Sequence, residues 1–268
     1  MTGTFIRDGV ALNVSRDGGA GRAILFQHGL CGAATQTMEA FPKDPRFARV
    51  TVECRGHGVS ESGDPAQFSI ATFTDDVATY MRAAGLRSTI VGGISMGAAI
   101  ALRLAVTAPD LVSGLVLVRP AWVTEAAPAT NEANRAVGRL LQTLPPDEAK
   151  AAFLASPLAQ RIARESPDNM ASLTGFFARE PIAITAALLS AIAADGPGVT
   201  PAQLAALALP TLVIGCGEDV IHPLEYARDL STLIPGAGFA EIFPKGRDRA
   251  RHLAELHQHM LSFFEDTP

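Results

Sequence analysis

The chain has 268 residues, of which 48% are hydrophobic and 18% charged, and its formal net charge is −5. That composition excludes a disordered polymer and supplies enough apolar residues for one large core. An acidic balance without any Lys/Arg cluster argues against nucleic acid or an anionic membrane as partner.

Taken in order, Thr4–Arg7 and Ala11–Val14 are short strand candidates separated by an Asp8-Gly9 turn. Ala23–Gln27 is a continuous apolar run, expected as a strand covered on both faces, and it ends in His28-Gly29-Leu30-Cys31-Gly32. Val50–Glu53 is the next buried strand and leads into Cys54-Arg55-Gly56-His57-Gly58-Val59-Ser60. Ile70, Phe73, Val77, Tyr80 and Met81 recur at helical spacing, which predicts a helix over 69–84 stopped by Gly85. A β-branched run at Ile90–Ile94 follows, then a small-residue helical pattern from Ala98 to Ala108, then a strand over 114–120. From about Trp122 to Leu207 the rhythm changes to Ala-rich helical patterns (131–144, 146–154, 170–179, 182–194) with no strand. Strand character returns at Thr211–Gly215, followed by a helix over 223–233, a last strand at Phe239–Phe243 and a last helix over 251–264. Strands alternating with helices in this way predict βαβ units and a parallel sheet, an α/β fold.

No apolar run reaches membrane-spanning length; the longest, around Ile94–Val106, is broken by Arg103. Residues 1–10 carry Arg7 and Asp8 without an apolar stretch, so no signal peptide is expected. Cys31, Cys54 and Cys216 are too scattered for a disulfide scaffold or a zinc site. A reduced, cytoplasmic protein is the expectation.

The stretch with the most chemistry is Gly93-Ile94-Ser95-Met96-Gly97, between a strand and a helix. A chain that turns sharply at Ser95 needs small residues two positions to either side, and glycine stands at both. The strain lifts the hydroxyl out of the sheet, and the following helix aims its first N–H groups at any oxyanion.

Four motifs each fall at a strand end: His28-Gly29, Arg55-Gly56-His57-Gly58-x-Ser60, Gly93-x-Ser95-x-Gly97 and Asp219-x-x-x-Pro223. Through them the chain resembles the α/β-hydrolase superfamily over nearly its full length. The resemblance implies an eight-stranded, mostly parallel sheet formed by a core of residues 1–121 and 208–268. It also implies an inserted helical cap, 122–207, over the C-terminal ends of the strands.

The resemblance makes Ser95 the nucleophile, with the backbone N–H groups of Leu30 and Met96 as an oxyanion hole. His28 would brace its own loop. Asp219 is the expected acid, favoured over its neighbour Glu218 by its spacing to Pro223. The base departs from the family pattern. Where relatives place Gly-His after the last strand, this chain reads Pro244-Lys245-Gly246-Arg247, and arginine cannot accept a proton. His252, at the head of the last helix, fits the order Ser95, Asp219, His252 and is the expected base. His257 and His259 read as surface or satisfied histidines; His222 is an alternative base nearer in sequence, but it belongs to the acid loop and reads as packing at a helix start. Arg119 and Trp122 are candidate substrate-binding residues. Arg119 would grip a carboxylate or bridge to Glu53 or Glu125, and Trp122 would line the pocket or pack the hinge.

The implied activity is a serine hydrolase cleaving a small-molecule ester or lactone, with no cofactor and no metal. Amide or carbon–carbon bond cleavage by the same residues remains open, as does a non-catalytic ligand-binding role. A metal held by His28, His57 and His222 matches no ligand signature. A small-molecule substrate is the expected partner, with monomer and homodimer both open.

Overall fold

In the computed structural model, which describes residues 2–267, the apolar runs of the sequence form one sheet whose side chains alternate between two cores. The strands are β1 (Thr2–Arg7), β2 (Val10–Asp17), β3 (Arg22–Gln27), β4 (Phe47–Val52), β5 (Thr89–Ile94), β6 (Val112–Val118), β7 (Thr211–Cys216) and β8 (Gly238–Ile242). They lie in the order β1-β2-β4-β3-β5-β6-β7-β8. The two pairings made by β2 are antiparallel and the rest are parallel.

Because side chains alternate along a strand, Leu25, Val91, Leu115, Leu117 and Val213 enter one core while Ile24, Phe26, Ile90, Val116 and Ile214 enter the other. The first core is closed by α2 (Ile70–Ala83), α3 (Met96–Thr107) and α10 (Leu224–Leu233), through residues such as Phe73, Ile100 and Leu230. The second is closed by α11 (Arg249–Asp266), through Leu256, Met260 and Phe264, beside α1 (Ala34–Ala40). Burial on both faces is why these strands read as unbroken apolar runs instead of alternating ones.

Between β6 and β7 the chain builds α4 (Glu132–Thr143), α5 (Pro146–Ala155), α6 (Pro157–Glu165), α7 (Pro167–Gly175), α8 (Ile182–Ala193) and the short α9 (Pro201–Ala205). No strand occurs there among the described residues, and the insertion has its own small core of Val137, Phe153, Ile162, Leu173, Phe177 and Leu189. The helical pattern read over 170–179 starts three residues earlier, at Pro167, whose fixed φ suits a first helical turn. The short helices α1 and α9 carry too few turns to show a period, whereas α6 buries Ala159 and Ile162 on one face and is an addition to the helices expected from sequence. No helix among the described residues is long and apolar enough to cross a membrane.

The approach of α3 to the sheet decides where Ser95 stands. A Cβ on Gly97 would overlap the carbonyl of Gln27 and lie 2.8 Å from that of His28, and one on Gly93 would meet the Gly97 carbonyl carbon at 2.5 Å. These neighbours are backbone, so neither can yield. Gly97→Ala is therefore expected to cost about 3 kcal/mol or more, read as a lower urea midpoint at unchanged slope.

Candidate active site

Ser95 takes φ 56° and ψ −112° between β5 and α3, and its side chain does not cap the helix it precedes. The hydroxyl is left for other work, at a backbone conformation costing of order 1–3 kcal/mol. Cys31, Arg119 and Glu218 also have positive φ without being glycine, and all stand on loops around the same edge of the sheet. Asp8, Ser88 and Ala127 share that backbone region elsewhere in the chain, but these four stand together at the strand ends that hold the serine.

The histidine that meets Ser95 is His222. Its Nε2 lies 2.9 Å from Ser95 Oγ, and its Nδ1 lies 2.9 and 3.0 Å from the two carboxylate oxygens of Asp219. A carboxylate only accepts, so Nδ1 carries the proton and Nε2 presents a lone pair to the serine. The backbone N–H of His222 also donates to Asp219 Oδ1, at 3.0 Å. Acid and imidazole thus belong to one turn, three residues apart, between β7 and α10.

This overturns the assignment to His252. That ring is buried at the start of α11, and its Nδ1 donates to the carbonyl of Phe243 at 2.8 Å. Burial first, and then the Arg119 and Lys245 charges, push its pKa down, which suits a neutral brace. The loop where a histidine was expected is used differently. Lys245 Nζ bonds Asp168 at 2.9 and 3.1 Å, and Arg247 pairs with Glu218. His257 bonds the Glu39 carbonyl from the surface. The signal for His222 was in the sequence: it stands immediately before the proline of Asp219-x-x-x-Pro223, in a chain whose usual histidine position is arginine.

Arg119 does not await a substrate carboxylate. Its Nε donates to Asp219 Oδ2 at 2.8 Å, a second guanidinium nitrogen reaches the same oxygen, and Asp168 lies 3.7 Å away. Burial pushes the Asp219 carboxyl up, but the Arg119 guanidinium and then His222 outweigh it and hold the group well below the usual carboxylate range. Trp122 is not a pocket wall either. It is buried against α8 and its indole N–H donates to the carbonyl of Asp195 at 2.8 Å, bracing the insertion. Glu53, considered as a partner for Arg119, instead accepts from the backbone N–H groups of Ala34 and Val59.

Two backbone N–H groups stand near the serine: Met96 follows it in the chain, and Leu30 lines the same cavity. Met96 is the first residue of α3, so its N–H has no carbonyl one turn earlier to bond. The Leu30 N–H donates to no group among the described residues. The loop bearing Leu30 is held from both sides. Gly29 N–H donates to Gln36 Oε1 at 2.7 Å, and Arg179 from the insertion bonds the carbonyls of Cys31 and Gly56 at 3.1 and 2.8 Å. His28 is buried with both ring nitrogens occupied, by the Gly29 carbonyl and the Cys54 N–H, while His57 packs against it at 4.8 Å. With His222 turned to Ser95, these three histidines do not converge on one point.

The space beside Ser95 is a cavity of about 110 Å³, lined among others by Leu30, Arg119, Asn134, Asn169, Phe176 and His222. Two wider hollows of about 440 and 570 Å³ open elsewhere, around Phe41–Phe47 and around Arg7–Asp76, away from the serine.

The family model described as alpha/beta hydrolase fold matches residues 22–248. A Klebsiella pneumoniae (strain 342) protein named "Putative carbamate hydrolase RutD" is 29% identical over 204 residues, covering 74% of each chain. Among solved structures, the enol-lactonase from Burkholderia xenovorans LB400 superposes with a TM-score of 0.73 at 20% identity, covering 98% of this chain and all of that one. A thermophilic esterase from Thermogutta terrifontis gives 0.71 at 22% identity, covering 99% and 96%. At such identities these two likenesses speak for the fold.

Proposed function

The chain belongs to the alpha/beta hydrolase fold family, and from that premise we propose that it is a serine hydrolase acting through Ser95, His222 and Asp219 on a small ester or lactone. Membership alone does not fix an activity, because one fold hosts many. The observation that carries the reading is the 2.9 Å contact between His222 Nε2 and the hydroxyl of a strained serine.

In this mechanism His222 Nε2 takes the proton of Ser95 as Oγ attacks the substrate carbonyl. Asp219 steadies the imidazolium, and Arg119 keeps that carboxylate ionised and oriented. The tetrahedral oxyanion receives the N–H groups of Leu30 and Met96, each worth about 3–4 kcal/mol of barrier in comparable sites. The intermediate collapses, and the leaving alcohol departs with the proton from His222. A water molecule, deprotonated by the same nitrogen, then releases the acyl group as a carboxylic acid and restores the serine. Carbamate is a second substrate reading, supported by the Klebsiella relative's name and by the polar lining of the cavity.

The test is covalent labelling with a fluorophosphonate together with turnover of p-nitrophenyl acetate. Labelling confined to Ser95, with both signals lost in Ser95→Ala, is the expected result. A folded protein that neither labels nor turns over any ester or carbamate would instead favour a ligand-binding role.

A further inference from the structure

Within that reading, we propose that the cavity beside Ser95 selects a short, uncharged acyl group carrying a hydroxyl or amide next to its carbonyl. The size limit comes from the volume. The cavity measures about 110 Å³, less than the ~150 Å³ of an engineered cavity that accepts benzene. It is also well below the ~300–1,000 Å³ of sites for larger ligands. An acyl group of about five non-hydrogen atoms fills it, and a longer chain has to run out of it toward solvent.

The polarity comes from two asparagines of the insertion. Asn169, in α7, is buried, and its Oδ1 accepts from the backbone N–H groups of Val220 and Ile221 at 2.9 and 3.1 Å. Two backbone donors settle which end of the carboxamide faces them, because an NH2 there would set donor against donor. The Nδ2 of Asn169 is thereby turned away from the loop, has no acceptor among the described residues, and belongs to a side chain lining the cavity. Asn134, in α4, donates its Nδ2 to Asn131 Oδ1 at 3.0 Å, which leaves its own Oδ1 for the cavity it also lines. A donor and an acceptor thus flank the space next to the nucleophile. A hydroxyl on the acyl group can accept from the one and donate to the other.

The absence of a charge requirement comes from pairing. The two cations on the cavity wall, Arg119 and Lys245, are each bound to a carboxylate, Asp219 and Asp168 respectively. No unpaired charge is left to recruit an ionised acyl group, and an apolar chain would leave the two amides without partners.

The experiment compares kcat/KM for phenyl hydroxyacetate, phenyl acetate and phenyl octanoate, each divided by its alkaline hydrolysis rate. The expected order is hydroxyacetate, then acetate, with octanoate at least about 10-fold below hydroxyacetate. Asn169→Asp keeps an oxygen for the Val220 and Ile221 N–H groups but removes the donor, and Asn134→Leu removes the acceptor. In both variants the hydroxyacetate-to-acetate ratio is expected to fall toward one. Octanoate turned over as well as hydroxyacetate, or a ratio unmoved in both variants, would overturn the proposal. Fluorophosphonate labelling separates the two levels: Ser95 that labels without acyl preference sinks the pocket assignment alone, whereas Ser95 that never labels sinks the hydrolase reading beneath it.

Discussion

His222→Ala is expected to lower kcat for p-nitrophenyl acetate by about 10³–10⁴-fold, while His252→Ala keeps activity within about threefold of the parent. The contrast is sharp because the two imidazoles do different work. His222 Nε2 faces the serine oxygen, and removing it leaves a hydroxyl that is too weak a nucleophile unaided. His252 holds the Phe243 carbonyl, so its loss is expected to show as a stability decrease of about 1 kcal/mol. Steady-state kinetics on both variants, with urea unfolding as a control, reads the two effects separately. A His222→Ala protein that retains activity while His252→Ala loses it would return the base to the last helix.

Arg119→Met is expected to destabilise the fold by about 3 kcal/mol at neutral pH, because it strips the buried Asp219 carboxylate of its cation. The pH dependence has a definite sign. The folded-state pKa of Asp219 is depressed, so the stability it confers is fully present above the unfolded value of about 3.9. That contribution drains away as pH falls through the folded-state pKa. The difference between parent and variant should therefore be widest near pH 7 and shrink below about pH 4. Adding Asp219→Asn to Arg119→Met should recover most of the loss, since no uncompensated charge is then buried. Denaturant unfolding at several pH values measures all three proteins, and a single variant costing under about 1 kcal/mol would show that the pair is unimportant to the fold.

Much of the architecture was legible because it rests on local pattern. Apolar runs reported the strands, Ala23–Gln27 as one covered on both faces, and Gly93 and Gly97 reported a backbone approach that tolerates no Cβ. The change of rhythm after Trp122 reported the helical insertion. The histidine was misread for a physical reason. Chain order and the usual place of a base drew attention to the segment after β8, whereas a residue three positions from its acid looked like ordinary helix-start packing. The Asp219 turn offers the imidazole a carboxylate and its backbone N–H the same partner, and no spacing rule along the chain reveals that closure. For Arg119 the sequence leaves a substrate grip and an ion pair with Glu53 or Glu125 both open, and the carboxylate it meets, Asp219, lies 100 positions away along the chain.

What the sequence determined by itself was the class of fold, the strained serine and the loop that carries the acid, since each is written in residues close together along the chain. Which imidazole meets the serine, where the Arg119 charge goes and which asparagines line the cavity were decided only when α4, α7 and the β7–α10 turn packed together. Those outcomes depend on directions of side chains from distant segments, and a hydrogen bond is too short-ranged and too directional to be inferred from chain order.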